Sequence, residues 1–240
     1  MCWSLDATAI MVAAGAAGTG VLWHRRQPAA IWLTLGYFTG MEALQLLGYL
    51  VVDQCGTAAN TSVTLLSYLH IALQPVFINA FAMELVPAPV KLRVRRWVFA
   101  LSAVSAGVML AQILPVQALG QCHPGAPLCG SAFCTVSGDW HIAWDIPYNG
   151  LLVPFEQMFG LNPGFPTYMA TVFLLPLLYG AWRFVLVHLA AGPVLAWSLT
   201  SNPNEMPAIW CLFSVAILCI SLSPFVRRAV SARTWWGMAV

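Results

Sequence analysis

The sequence predicts an all-α polytopic membrane protein, a single domain over residues 1–240 with seven transmembrane helices. The first observation is composition: 60% of the 240 residues are hydrophobic and 8% are charged, whereas soluble domains carry about 25% charged residues. The second is that seven apolar segments approach the length of about 20 residues that a helix needs to cross a bilayer. The third is that the basic residues all lie on one side of these segments. The chain has too little polar surface to be covered by water alone.

The seven apolar segments are 7–23, 29–52, 61–86, 97–116, 166–182, 184–200 and 207–226. Basic residues follow the first segment instead of preceding it, which is the reverse of a secretory signal peptide. We therefore expect the first segment to be retained as a helix whose N-terminus is outside. The fifth and sixth segments are short and are separated only by Arg183, so we expect one of them to be tilted or its boundary to lie elsewhere.

The distribution of basic residues predicts the sidedness of the chain. With the N-terminus outside, the inward-facing parts are 24–28, 87–96, the turn at Arg183 and the C-terminal tail. Cytoplasmic loops collect Lys and Arg. All ten basic residues fall in these inward-facing parts: Arg25, Arg26, Lys91, Arg93, Arg95, Arg96, Arg183, Arg227, Arg228 and Arg233. A different number of crossings would divide them between the two sides, so we expect seven crossings and a cytoplasmic C-terminus.

Most of the seven cysteines lie on the predicted outer side, which is an oxidising compartment. We expect at least one disulfide, either within 122–134 or from there to Cys55, and the connectivity stays open. The candidates are Cys55, Cys122, Cys129 and Cys134, with Cys2 as the odd outer cysteine. A metal site is the competing interpretation, although the sequence has no C-x-x-C pair. We expect Cys211 and Cys219 to pack in the last helix as small apolar residues.

Two ionisable residues lie deep within the apolar segments, where each costs roughly 2.5–3.5 kcal/mol. Glu42 lies roughly 15 Å and His70 roughly 14 Å from the outer ends of the second and third helices, at 1.5 Å per residue. Because a short outer loop joins these helices, we expect them to be antiparallel and the two side chains to meet. The alternative is a buried Glu–His pair that only holds the helices together.

Further polar residues share helix faces with this pair. Gln45 and Tyr49 follow Glu42 at +3 and +7, and Gln74 follows His70 at +4. Such spacings place side chains on one face of a helix. We therefore expect a polar cavity that is open to the outer side. Its candidate binding residues are Gln45, Tyr49, Gln74, Asn149 and Glu205.

Two polar residues of the later helices have both a functional and a structural interpretation. His188 precedes Gly192 in the sixth helix and is either a site residue or a structural histidine. Glu205 lies at the outer end of the seventh helix, where Asn204 would cap the helix and Glu205 would lie near its positive end. Capping alone is sufficient to explain Glu205, and a role in the site is the alternative.

The region 117–165 is predicted to lie outside and to contain an interfacial or re-entrant helix. Within it, WHIAWDIPYNG (140–150) is consistent with a short half-helix, because its tryptophans suit a membrane boundary. On a helix, His141 and Asp145 would share a face, with Asn149 one turn further on. This face either points at the mouth of the polar cavity or is solvated, with Asp145 paired to His141.

Histidine and carboxylate side chains are ligands that suit Zn and Fe. The candidate metal ligands are His70, His141, Asp145 and His188, and the candidate catalytic residues are Glu42, His70 and Asp145. A bound Zn or Fe is one expectation, with Glu42 as acid or base, and a site without a cofactor is the other. The sequence contains no H-E-x-x-H motif and no P-loop. It has no basic patch that indicates nucleic acid.

Four stretches carry a resemblance to known proteins: MCWS (1–4), YLHIALQPVFINAF (68–81), GDWHIAWDIPYNG (138–150) and NPNEMPAIWC (202–211). On these stretches the chain resembles an uncharacterised family of bacterial multi-helix membrane proteins over essentially its whole length. The resemblance implies a place in the bacterial inner (plasma) membrane and implies no activity. In helix count the chain is also similar to zinc-dependent lipid amidases of the alkaline ceramidase and adiponectin-receptor type. Those enzymes carry two histidines four apart on a late helix, where this chain has only His188.

These observations lead to two functional hypotheses. The first is a membrane-embedded, metal-dependent enzyme that acts on a lipophilic substrate through a polar cavity open to the outer side. The second is a non-enzymatic membrane protein that binds, senses or transports a small molecule or ion. In both cases the expected partners are membrane lipid and a lipophilic or small-molecule ligand, with no nucleic acid. A purely structural role for the polar residues is a third possibility.

Overall fold

The structure is a computed structural model that describes residues 3–154, 165–212, 215–232 and 234–235. The described chain is mostly helical, which agrees with the predicted class. The helices are α1 (Leu5–His24), α2 (Ala29–Val51), α3 (Ala58–Ala82), α4 (Ala88–Gln112), α5 (Pro166–Leu178), α6 (Trp182–Leu199), α7 (Met206–Leu212), α8 (Val215–Leu222) and α9 (Pro224–Val230). Two strands, β1 (Cys134–Ser137) and β2 (Ile142–Asp145), lie between α4 and α5.

Local sequence explains where the first four helices begin. The Ser4 hydroxyl accepts the Ala7 N–H at the start of α1, and the Thr57 hydroxyl accepts the Asn60 N–H at the start of α3. Each cap gives a partner to an amide that the helix itself leaves unpaired. Pro28 and Pro87 directly precede α2 and α4. The fixed backbone angle of proline suits the start of a helix.

Helix α4 begins nine residues before the predicted apolar segment 97–116. The preceding residues 88–96 are rich in Lys and Arg, which are good helix formers. Their long side chains can keep the charge in water while the stem covers apolar surface. The predicted boundary was therefore wrong, because the apolar run marks only the apolar part of the helix and leaves out its basic first turns.

Helices α5 and α6 are each interrupted by a wider, π-helical turn, at Ala170–Leu174 and Ala190–Val194. In α6 the interruption coincides with Gly192, whose backbone is not helical, and with Pro193, which has no N–H to donate. A Cβ atom at Gly192 would lie 2.4 Å from the indole nitrogen of Trp210. The absence of a side chain at Gly192 therefore lets Trp210 of α7 approach α6 more closely than any other residue at this position would allow.

Four helical stretches are long and apolar enough to cross a membrane: Leu5–His24, Ala58–Leu85, Ala88–Gln112 and Trp182–Leu199. A fifth results if Met206–Leu222 and Pro224–Val230, which meet at 103°, form one bent span. All seven predicted segments contain helical residues, including α2 and the shorter α5. The described chain is thus compatible with an integral membrane protein, and the arrangement of seven crossings stays a prediction.

Basic residues and disulfides lie at opposite ends of the helical bundle. The end that carries the strands, called the hairpin end below, also carries the α2–α3 turn, to which β1 is disulfide-bonded. The other end carries the α1–α2 and α3–α4 turns. Nine basic residues lie at or near that other end: Arg25, Arg26, Lys91, Arg93, Arg95, Arg96, Arg183, Arg227 and Arg228. Arg233 lies outside the described residues. The segregation agrees with the charge pattern from which the sidedness was predicted.

The half-helix predicted for 140–150 is wrong. Residues 142–145 form β2, which pairs antiparallel with β1 and places Cys134 opposite Asp145. Adjacent strand residues point to opposite faces, so the four-residue spacing of His141 and Asp145 does not describe a helix face. Long-range contacts make residues 142–145 a strand. The disulfide to Cys55 holds β1 in place, and β1 forms backbone hydrogen bonds with β2. Residues 155–164 of the predicted outer region lie outside the described residues.

Side chains from two helices hold the hairpin on the bundle. The Asn60 amide donates to the carbonyls of Val51 (2.7 Å) and Thr135 (2.9 Å) and accepts the Thr135 N–H (2.9 Å). Asp53 accepts the N–H of Ser137 at 2.8 Å and its hydroxyl at 2.5 Å. Because these bonds join α2, α3 and β1, the hairpin is an integral part of the fold.

The predicted disulfides are present, and the structure supplies their connectivity. Cys55 is bonded to Cys134 and Cys122 to Cys129. Cys211 is free and buried, and Cys219 is free and exposed. Cys2 lies outside the described residues. The bond between Cys55 and Cys134 joins the α2–α3 turn to the hairpin, whereas the second bond closes a short loop within the outer region.

Removal of the long-range disulfide should destabilise the protein more than removal of the short-range one. The two bonds close loops of 79 and 7 residues. In the chain-entropy description these contribute about 4 and about 2.5 kcal/mol. We expect the C55S/C134S variant to unfold at lower denaturant concentration than C122S/C129S in detergent micelles. Equal midpoints for the two double variants would contradict the assignment of the long-range bond as the main covalent constraint.

Candidate functional site

The predicted Glu42–His70 pair does not form in the structure. Two contacts show that α2 and α3 are antiparallel. The Thr34 hydroxyl donates to the Phe77 carbonyl, and the Asn60 amide donates to the Val51 carbonyl. They place Glu42 and His70 at about the same level, as expected. The two side chains nevertheless have different surroundings, and no hydrogen bond joins them within the described chain.

His70 is held by Tyr37 instead. The two rings stack with their centroids 3.7 Å apart, and the imidazole Nε2 is 2.7 Å from the Tyr37 carbonyl oxygen. The Tyr37 hydroxyl donates back to the His70 carbonyl. Glu42 is five residues from Tyr37, which is roughly 140° around an α-helix. The pairing failed because equal depth does not fix the direction in which a side chain points.

Glu42 is buried, with 2% of its surface exposed, and neither carboxylate oxygen has a hydrogen-bond partner among the described residues. Gln45, three residues further along the same face of α2, donates to the carbonyl of Ala208 on α7. Glu42 therefore lies on the face of α2 that packs against α7. A buried polar group without a partner is rare and costly, so this carboxyl is a candidate functional group.

His141 belongs to a fully bonded network between the hairpin and the helices. The Gln45 amide nitrogen donates to the Ala208 carbonyl at 3.1 Å, so its oxygen faces His141 Nε2 at 2.6 Å. Nε2 must then carry the imidazole proton, and Nδ1 accepts from the Tyr49 hydroxyl at 2.5 Å. Burial lowers the pKa of His141 from 6.5 to about 3. This histidine is a neutral link between α2, α7 and the outer region.

Glu205 organises the loop that precedes β2. Its carboxylate accepts the backbone N–H groups of Asp139 (3.2 Å), Trp140 (2.6 Å) and His141, together with the Thr200 hydroxyl at 2.6 Å. The side chain is completely buried. Four donors occupy it, so Glu205 acts as a structural anion within the described chain. The predicted capping by Asn204 is replaced by other bonds of that side chain, described next.

The remaining predicted residues also have structural partners. Asp145 accepts from the Asn204 amide at 2.7 Å. The Asn149 amide donates to the carbonyls of Ala111 (2.9 Å) and Leu114 (3.0 Å), which closes the end of α4. His188 packs among aromatic rings and accepts the indole N–H of Trp210 at 3.2 Å. The structural interpretation therefore describes these side chains.

The four predicted metal ligands do not converge. His70 is bonded to Tyr37, His141 to Gln45 and Tyr49, Asp145 to Asn204, and His188 to Trp210. Over the described ranges, no group of three or more His, Cys, Asp or Glu side chains is arranged to hold a metal ion. The sequence placed these residues in one outer region, but each faces a different neighbour.

A cavity of ≈ 180 Å³ lies beside this network, at the hairpin end of the bundle. Pro127 and Leu128, from the segment between α4 and β1, line one side of the cavity, and residues of α3, α4, α5, α6 and α7 line the rest. Most lining side chains are apolar: Ile71, Met109, Phe165, Met169, Pro193, Ala196, Met206 and Pro207, with Trp210 beside them. A preformed concave site with mostly apolar walls is the usual form of a small-molecule site.

One end of the cavity is polar. The Gln74 amide nitrogen is 3.3 Å from the Cys211 sulfur, and its oxygen accepts the Tyr168 hydroxyl at 2.5 Å. All three side chains line the cavity, and Glu42 lies behind Cys211. Of the predicted binding residues, Gln74 lines this cavity, and Asn149 lines a separate pocket of ≈ 290 Å³.

Sequence reasoning missed Tyr168, Cys211 and Trp210. Cys211 was expected to pack as a small apolar residue, and the aromatic residues carry no ionisable group within the usual pH range that would have singled them out. One weak indication of the position of Cys211 was present in the sequence. Ala208 and Cys211 share one face of α7, and Glu42 and Gln45 share one face of α2, because residues three apart lie on the same side of a helix. Only the contact between α2 and α7 shows that these two faces meet.

Comparisons with known proteins supply no activity for this site. A profile of the Family of unknown function (DUF5765) matches residues 6–231. No curated protein and no solved structure matches the chain. The match agrees with the expectation of an uncharacterised family. It supports neither the bacterial and membrane character expected of that family nor the likeness to lipid amidases.

The neutral state of His141 predicts how stability depends on pH. Its pKa is about 3 in the folded state and 6.5 when unfolded, so between these values only the unfolded chain binds the proton. The contribution is therefore fully present above pH 6.5 and is lost as the pH falls toward 3. We expect a loss on the order of 2 kcal/mol between pH 7 and pH 5, measured by chemical unfolding in micelles.

Two histidine variants test the origin of this pH dependence. His141→Gln should remove the share of the loss that His141 causes, on the order of 2 kcal/mol between pH 7 and pH 5, and it should lower stability at pH 7. His123→Gln removes an exposed histidine of the same outer region and is the matched control. Equal slopes for the wild type and His141→Gln would show that another group causes the loss.

Replacement of the buried Glu205 carboxylate should loosen the hairpin. Glu205→Gln removes one acceptor oxygen and introduces a donor next to N–H groups, so we expect a loss of about 2 kcal/mol in unfolding free energy. Asp139→Asn, an exposed carboxyl in the same loop, should change stability by less than about 0.5 kcal/mol. A Glu205→Gln variant as stable as Asp139→Asn would contradict the structural role.

Proposed function

The chain belongs to DUF5765, a family of unknown function, so we propose its function from the geometry of the site: it is an integral membrane protein that binds a small lipophilic molecule. The ligand lies in the cavity between α3, α4, α5, α6 and α7. This is the second of the two functional hypotheses. The observation that carries it is the apolar cavity of ≈ 180 Å³ with one polar end.

The proposal includes the membrane arrangement. The protein has seven crossings, with the hairpin end outside, the C-terminus in the cytoplasm, and the bacterial plasma membrane as its location. Support comes from the four to five stretches that are long and apolar enough to span. The basic residues at one end and the disulfides at the other also support it, because cytoplasmic loops collect basic residues and oxidising compartments form disulfides.

The size of the cavity limits the ligand. An engineered cavity of about 150 Å³ lined by apolar side chains stays dry and takes up benzene. The present cavity of ≈ 180 Å³ therefore holds about one ring or a short hydrocarbon segment. A larger lipophilic molecule would place only its end in the cavity.

Binding is favoured over metal-dependent catalysis because the predicted catalytic side chains do not converge on a common site. His70 and Asp145 each have a structural partner, and neither lines the cavity. The first functional hypothesis required Glu42 and His70 to meet beneath an outer lid. Since they do not meet, the binding hypothesis is the one that the described geometry supports.

Labelling of Cys211 tests the proposal. Cys211 lines the cavity and Cys219 is exposed on the last helix, so one protein carries a site thiol and a control thiol. We expect the neutral probe 4-phenylbutanol to slow modification of Cys211 by N-ethylmaleimide at least threefold in micelles. Modification of Cys219, followed by peptide mass spectrometry, should not change.

A variant that fills the cavity completes the test. Ile71→Trp should slow labelling of Cys211 without any probe and should remove the effect of 4-phenylbutanol. Leu73→Trp, on the exposed face of the same helix, is the control and should behave as the wild type. Protection of both thiols to the same extent, or of neither, would overturn the proposed binding function.

A further inference from the structure

We propose that the ligand of this cavity is a lipophilic amine, bound as the ammonium ion and recognised by Glu42 across the polar end. The inference rests on the proposed binding function and names its ligand class. It depends on three features of the structure: an unpartnered buried carboxyl, the position of that carboxyl behind the cavity wall, and the chemistry of the lining groups.

The first feature is the isolation of Glu42. It is 2% exposed, and both of its oxygens lack a hydrogen-bond partner in the part of the chain that the structure describes. The other buried carboxylate, Glu205, is held by four donors. Within the described chain, Glu205 therefore has hydrogen-bond donors for its carboxylate, whereas Glu42 has none. A group that must leave water needs a partner, and a bound ligand can be that partner.

The second feature is that Glu42 lies one side chain behind the polar end of the cavity. Gln45 on α2 donates to the carbonyl of Ala208 on α7, and Glu42 and Cys211 each lie about one turn further into the bundle, so they are at the same level on facing helices. Cys211 lines the cavity and contacts Gln74. The nearby titratable groups are Tyr49 and Glu205 on the hairpin side, and Tyr37 and Tyr168 around Cys211. None of them is cationic. An ammonium group at the polar end would bring a positive charge toward Glu42.

The third feature is the lining itself, which offers acceptors and aromatic faces. The Tyr168 hydroxyl already donates to Gln74, so both oxygens at this end keep lone pairs for a donor. The indole N–H of Trp210 is used by His188. Phe165, Tyr168 and Trp210 all line the cavity, and aromatic faces attract cations. Among the described lining residues there is no Lys or Arg, so an anionic ligand would have no counter-charge there.

The basic residues of the chain cannot replace the ligand. The described ones lie toward the opposite end of the bundle, where Lys91 is paired with Glu84 at 2.5 Å. Glu42 belongs to the second turn below Tyr49, deep within α2. Attraction between two charges increases steeply as the surroundings become less polar. An ammonium group at the polar end would supply the opposite charge that the described residues do not offer to this buried carboxyl.

Two probes of the same shape test the ligand class. 4-Phenylbutylamine and 4-phenylbutanol differ only in the polar end group, and protection of Cys211 from N-ethylmaleimide reports the occupancy of the cavity. We expect the amine to protect at about a tenfold lower concentration than the alcohol at pH 7. Each concentration is corrected for partition into micelles without protein.

The variant Glu42→Gln should remove the preference for the amine over the alcohol. Glu84→Gln, a carboxyl at the opposite end of the bundle, is the matched control and should keep the preference. The comparison of the two probes in the wild type needs no variant, so it remains valid if Glu42→Gln fails to fold.

The outcomes separate this inference from the proposed function. If the alcohol protects Cys211 as well as the amine does, the protein binds lipophilic molecules and the amine assignment is wrong. If the amine is preferred and Glu42→Gln keeps the preference, Glu42 is not the recognising group. If neither probe protects Cys211 selectively, the proposed binding function itself fails.

Discussion

The structure depends on the buried carboxylate of Glu205, which receives the N–H groups of three consecutive residues before β2. These amides would otherwise lie at the hairpin end of an apolar bundle without partners, at a cost that few folds accept. The approach is close enough that Gly138 can carry no side chain, because a Cβ atom there would lie 2.6 Å from the Glu205 carboxyl carbon. By holding this loop, Glu205 places the imidazole of His141 between α2 and α7, and the position of the hairpin follows.

Two groups of buried polar side chains thus have opposite character. The group around His141 is complete: each polar atom of the imidazole and of the Gln45 amide has a partner. Complete networks of this kind rigidify a fold and specify its packing. The group around Glu42 is incomplete, because its carboxyl oxygens lack partners among the described residues. The contrast within one bundle is the reason to look for function at Glu42 and for structure at His141.

Much of the fold could be predicted because the relevant physics is local or additive. Apolar segments indicated the helices, and the distribution of basic residues indicated one end of the bundle. Outer cysteines indicated the disulfides. The hairpin could not be predicted in this way. The spacing of four residues between His141 and Asp145 is compatible with a helix face but also occurs often by chance, so it does not identify the secondary structure. The partner that makes residues 142–145 a strand is β1, and β1 is positioned by Cys55, 79 residues earlier in the chain.

The sequence by itself determined that the chain is helical and apolar, and it identified most of the polar residues that lie buried, because composition and depth along a helix are properties of single segments. Only the tertiary structure decided which of these residues meet. Glu42 and His70 have nearly the same depth, yet one faces α7 and the other is held by Tyr37. The rotation of a helix about its own axis is set by the packing of all its neighbours at once. No single segment contains that information, so the cavity and its polar end became visible only in three dimensions.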